Sequence, residues 1–140
     1  MAEQRVAVVT GASSGIGLEI ARTLAADGMR VLCVGRNPLR CAAAEADLRA
    51  DGGDVEMLRA DLSLLSDVDR LADEIAARTD RVDVLVNNAG SMVAEQQMTF
   101  EGYEANFAAN FIGPFVLTAR LLPLIPRSAE ADSRQGFPRR

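Results

Sequence analysis

Two short segments carry residue types and spacings able to do chemistry. In the first, Thr10-Gly11-Ala12-Ser13-Ser14-Gly15-Ile16-Gly17, glycines gather where a β-branched run gives way to a helical pattern. Glycines so spaced permit a tight turn and let a pyrophosphate approach the backbone. The amides at the start of the following helix, with its dipole, favour that anion. The residues expected to cradle it are Gly11, Ser13, Ser14, Gly15, Ile16 and Gly17. The second segment, Asn87-Asn88-Ala89-Gly90, ends a later apolar run. Small residues there let the nicotinamide half of a dinucleotide lie against backbone, and Asn amides can brace adjacent loops. Asn87, Ala89 and Gly90 are the expected contacts, although alone this segment also reads as an ordinary Asn-rich turn.

The elements that must position these segments follow from hydrophobic period. Arg5 to Thr10 is a short β-branched strand, and Ile16, Ile20 and Leu24 then fall at helical spacing until Gly28 closes the helix. Val31-Leu32-Cys33-Val34 forms the centre of a second strand, and Asn37-Pro38 starts a helix with Asn as cap and Pro in the first turn. Asp54 to Arg59 is a third strand. Ser66 and Asp69 read as a capping box before Val68, Leu71 and Ile75. Arg81 to Val86 is a fourth strand, and a helix begins near Thr99 or Glu101. Ala105 to Ile125 reads as a long buried helix rather than a membrane span, because Asn106, Asn110, Pro114 and Arg120 interrupt it. Nearly continuous apolar strands alternating with helices mean a parallel sheet covered on both faces.

The end of the second strand, Gly35-Arg36-Asn37, sets an expectation about cofactor. A site for NAD places an acidic residue there for the ribose hydroxyls, whereas one for NADP uses Arg. No carboxylate is present, and Arg36 is able to bind a 2′-phosphate through charge-assisted hydrogen bonds, with Asn37 beside it. NADP(H) is therefore expected over NAD(H).

Composition excludes much else. The chain has no His, all fifteen of its basic residues are Arg, and Tyr103 is the single Tyr. Ser-His-Asp machinery, His-ligated metal, Schiff-base chemistry and a Tyr-x-x-x-Lys pair are all ruled out within these 140 residues. A net charge of −5 argues against nucleic acid. Cys33 and Cys41 suggest neither a disulfide framework nor a zinc site, so a reducing, cytoplasmic setting is expected.

Together the two segments resemble the short-chain dehydrogenase/reductase family, in which Thr-Gly-x-x-x-Gly-x-Gly precedes Asn-Asn-Ala-Gly on the same elements. The stretch from Thr99 to Phe115 is similar to the retinol-dehydrogenase-like branch. The resemblance implies a Rossmann-like α/β fold, a doubly wound parallel sheet of order 3-2-1-4. It implies that Asp61, followed by Leu62, contacts the adenine, and that Asn110 is a member of the catalytic tetrad supporting a bound water. The family reaction is hydride transfer between NADP(H) and a small carbonyl or alcohol substrate. The resemblance also implies a fifth strand and a Tyr-x-x-x-Lys helix, which this sequence lacks; Tyr103 reads as a packing aromatic. Where that strand is due the chain reads Gln135-Gly136-Phe137-Pro138-Arg139-Arg140, as after a change of reading frame, a domain truncation or in a short paralogue.

The expected organisation is thus a dinucleotide-binding half-domain over residues 1–126 and a disordered tail over 127–140. Three functions stay open: an oxidoreductase, a module that holds NADP(H) without turnover, and a self-associating interaction module. The last rests on the fourth strand's free edge, Val82 to Val86 with Asp83 its one charge, and on the helix bearing Phe107, Phe111 and Phe115.

Overall fold

The computed structural model describes residues 3–126. The expected tail, 127–140, lies outside them. Four parallel strands, β1 (Val6–Thr10), β2 (Arg30–Gly35), β3 (Val55–Arg59) and β4 (Val84–Val86), stand in the order β3-β2-β1-β4. Helices α1 (Gly15–Ala26), α2 (Pro38–Ala50) and α3 (Leu65–Arg78) connect them. After β4 comes a long loop and then one helical run. It comprises α4 (Ala105–Phe107), a π turn at Ala108–Ile112, α5 (Gly113–Leu121) and a final 3-10 turn at Leu122–Leu124.

Strand alternation splits the core in two. Val6 and Val8 of β1, Leu32 and Val34 of β2 and Leu58 of β3 pack with Val68, Leu71 and Ile75 of α3 and Leu117 and Leu121 of α5. Ala7, Val9, Val31, Cys33 and Val55 face the opposite way, toward Ala21 of α1 and Leu48 of α2. Both faces of the sheet are therefore covered, as continuous apolar strands require. The register Val9↔Cys33 and Val9↔Val86 brings the ends of β2, β1 and β4 to one rim.

Several local expectations are corrected. Ile16 does not join the buried face of α1: it is 74% exposed, and Gly17 and Ala21 make the close contacts instead. β4 is only Val84–Val86; just before it, Asp83 N–H donates to the Val6 carbonyl (2.8 Å) while its carboxylate accepts from the Val6 N–H (2.8 Å) and the Arg81 guanidinium (2.5 Å). Asp83 thus closes the lower rim of the sheet rather than standing along a bare edge. The last helix starts at Ala105, capped by the Glu104 carboxylate on Asn106 N–H and Phe107 N–H, so Tyr103 belongs to the preceding turn. Thr99 ends up in that turn, where its carbonyl takes the Gly102 N–H. The run Ala105–Leu124 is long and apolar enough, by length and composition, to cross a membrane. It is not the buried helix expected. Ala108, Gly113, Leu117 and Leu121 face the core, whereas Phe107, Phe111 and Phe115 are more than half exposed and stack on one another.

The start of α3 differs most instructively. No capping box forms; the N-cap is Leu64, and Ser66 lies inside the helix. The cap comes from far along the chain, where Glu101 accepts from Leu65 N–H (2.5 Å) and Ser66 N–H (3.1 Å). A carboxylate there satisfies two orphan amides and complements the helix dipole.

Candidate functional site

A cleft of about 420 Å³ opens at the upper rim, where the ends of β2, β1 and β4 meet. Its lining includes Gly11, Ser13, Ser14 and Ile16 from the first segment, Arg36 and Asn37 after β2, and Leu62, Ala89 and Gly90. The structure brings these expected residues together. Gly15, Gly17, Asp61, Asn87 and Asn110 lie outside the lining. Asn88, Ser91 and Arg40 line it as well, and the sequence reading left them out. Asn88 was within reach of that reading, since it belongs to the second segment; Arg40 lies in the first turn of α2, four residues after Arg36.

Hydrogen bonds stitch the two segments into one unit. The buried Thr10 hydroxyl donates to the Val86 carbonyl (3.3 Å) and accepts from Asn88 N–H and Ala89 N–H (3.0 Å each). Asn88 Nδ2 reaches back to the carbonyls of Thr10 and Gly11 (3.3 Å each). This gives one of the glycines a packing reason. A Cβ at Gly17 would stand 2.1 Å from the Gly11 carbonyl oxygen and 2.5 Å from Asn88 Nδ2. The missing side chain of Gly17 makes room for the protein's own loop. Gly15 is the open one, with φ +57° and nothing within 4 Å of where its Cβ would be.

Capping decides what the cleft can hold. Asn37 Oδ1 caps α2 through Leu39 N–H and Arg40 N–H, Glu101 caps α3, and Glu104 caps α4. At α1 no such partner exists among the described residues: the Ser14 side chain makes no cap bond and the first turn has no acid. Its first amides and positive dipole end are therefore uncompensated, with Ser14 and Ile16 at the cleft wall. Ion pairs occupy Arg22, Arg30, Arg49, Arg70, Arg78, Arg81 and Arg120. Arg36 and Arg40, both exposed at the cleft, enter none of those pairs.

The remaining candidates are committed within the protein. Asp61 accepts from Ser63 N–H (3.0 Å) and the Ser63 hydroxyl (2.7 Å). Asn87 Nδ2 donates to the Thr118 hydroxyl (3.1 Å). Asn110 grips Ser91 at both ends, accepting from its N–H (2.8 Å) and donating to its carbonyl (2.7 Å).

A glycine turn between strand and uncapped helix, stitched to Asn87–Gly90 in a 3-2-1-4 sheet, has a counterpart among known proteins. The family model described as short chain dehydrogenase matches residues 5–133. The chain belongs to this family. Mouse retinol dehydrogenase 12 is 37% identical over 129 residues, covering 91% of this chain and 41% of that protein. A solved metagenomic short-chain oxidoreductase in complex with NADP is 37% identical with a TM-score of 0.75, covering 86% of this chain and 56% of that one. The Pseudomonas aeruginosa RhlG/NADP active-site complex is 38% identical with a TM-score of 0.73, covering 86% and 47%. The chain thus spans roughly half or less of the length of these family members. Its fold is that of the family, and the two solved members above are complexes with NADP.

Proposed function

We propose that residues 1–126 form a dinucleotide-binding half-domain that holds NADP(H) in preference to NAD(H). The observation that carries this reading is the uncapped start of α1 beside the cleft, with Arg36 and Arg40 at that cleft and in no ion pair among the described residues. The residues present fit an extended dinucleotide. With neighbouring strands ~4.8 Å apart, the ends of β2 and β4 flank β1 across roughly 10 Å. Arg36 and Arg40 would hold the 2′-phosphate, with Asn37 beside them. The amides of Gly15, Ile16 and Gly17, with Ser13 and Ser14, would take the pyrophosphate. Leu62 would lie along the adenine side, and Ala89 and Gly90 along the nicotinamide. Asp61, Asn87 and Asn110 act one step back, through the loops they brace.

Bound there, the nicotinamide supplies or accepts hydride, and a small carbonyl or alcohol is the matching substrate class. These 140 residues offer that transfer no matched acid or base, having no His or Lys and one Tyr. Tyr103 sits in the turn before α4, with its N–H on the Thr99 hydroxyl. The chain by itself therefore binds without useful turnover. A cytoplasmic setting accords with two buried, unpaired cysteines. The exposed Phe107–Phe111–Phe115 stack supports a second reading, in which the chain self-associates through that helix or the β4 edge.

Calorimetric titration with NADPH and NADH tests the first reading. NADPH should bind more tightly, and Arg36→Ala should weaken NADPH by ~1.5–3 kcal/mol with little change for NADH. Equal affinity for the two dinucleotides would remove the claim. Light scattering at micromolar concentration tests the second, which a monodisperse monomer would exclude.

A further inference from the structure

We propose that Asn106 is a positioning residue for the nicotinamide side of the cleft, acting with Asn110 as a two-rung side-chain ladder. The consequence for cofactor binding rests on the dinucleotide reading above. Asn106 Oδ1 accepts from Val93 N–H (2.8 Å), and its Nδ2 donates to the Val93 carbonyl (3.0 Å). Asn110 treats Ser91 in the same way. Each amide thus satisfies both backbone groups of one residue, and the two residues held are alternate ones. This is the pattern a neighbouring strand edge makes.

Asn106 in α4 and Asn110 in the π turn stand four residues apart on one helical run, and the alternate residues they reach on the extended chain are ~6.6 Å apart. Asn106 and Asn110 therefore replace a pairing strand for 91–93, running antiparallel to it. What the ladder holds is the wall that follows Ala89 and Gly90. Ser91 lines the cleft, and a Cβ on Gly90 would come within 3.5 Å of Asn110 Oδ1. Met92, between the rungs, is 93% exposed, so apolar burial does not fix this segment. The amide ladder does.

The test uses the 140-residue chain and two probes, NADPH and 2′,5′-ADP, which lacks the nicotinamide half. Asn106→Ala should weaken NADPH about tenfold, as expected for lost hydrogen bonds, and leave 2′,5′-ADP within about twofold. Asn106→Asp keeps the acceptor for Val93 N–H and should recover part of the loss. An equal loss for both probes, or no loss for NADPH, overturns the proposal. Amide hydrogen exchange gives a readout that needs no cofactor. Asn106→Ala should speed exchange at both Val93 and Ser91, because the rungs act together. Faster exchange at Val93 alone would show an isolated bond and reject the ladder. A native chain that binds neither probe would instead remove the dinucleotide reading and leave the exchange result to decide the ladder.

Discussion

Two helices begin on the same rim of the sheet, and their first turns have opposite fates. At α3, Leu65 N–H and Ser66 N–H are both taken by Glu101. At α1, no side chain of the described residues caps the amides, although Ser14 stands at the capping position. The dipole and the orphan donors are the same in kind at both ends. What differs is whether the fold supplies the anion. Where it does, the helix start is structural and fastens the loop carrying Glu101. Where it does not, the donors are left over, and this supports the phosphate site proposed there. Capped α2 and α3 beside a bare α1 set that one helix start apart.

The harshest way to break the contrast is to close the α1 turn from within. Gly17→Ala would drive a Cβ to 2.1 Å from the Gly11 carbonyl oxygen. Backbone rather than a flexible side chain must then move, so a loss near 3 kcal/mol in urea unfolding is expected, together with loss of NADPH binding. Ser14→Asp inverts the contrast more gently by giving α1 the carboxylate it lacks. NADPH affinity should fall ~100-fold while thermal stability holds or rises slightly, since an N-cap acid favours the helix. The reciprocal change, Glu101→Ala, should cost about 1 kcal/mol in unfolding free energy and leave the affinity of 2′,5′-ADP unchanged.

The smallest effect concerns the opposite rim, where Asp83 closes β1 as Glu101 closes α3. Its hydrogen bond to Arg81, helped by the Val6 N–H and opposed by partial burial, holds the Asp83 carboxyl below its ordinary range. A depressed folded pKa gives stability that is complete above the unfolded value near ~4 and fades as pH falls toward the folded one. Urea unfolding at pH 6 and pH 3 should therefore show native protein and Asp83→Asn differing more at pH 6.

Much of this was legible in the chain. Strand period, the Asn37-Pro38 start and the glycine-rich junction are local signals, and they place β1, β2, β3, α2 and the cleft's near wall correctly. The strand order followed from the family resemblance and is observed. The long-range partnerships were not legible. Glu101 reaches α3 across 36 residues, and Asn106 and Asn110 reach 13 and 19 residues back to Val93 and Ser91. No periodicity encodes such contacts, and a local Ser66–Asp69 pattern pointed to the wrong cap. Ile16 shows a second limit: an apolar spacing identifies a helix without saying which of its residues the rest of the fold covers.

The central claim is that the α1 turn is open to a phosphate anion and the α3 turn is shut. Amide chemical shifts of the 140-residue chain titrated with NADPH test this most directly. The account predicts saturable shifts at Gly15, Ile16 and Gly17, with Leu65 and Ser66 unmoved. Saturable shifts at Leu65 and Ser66 with Gly15 to Gly17 silent would contradict it.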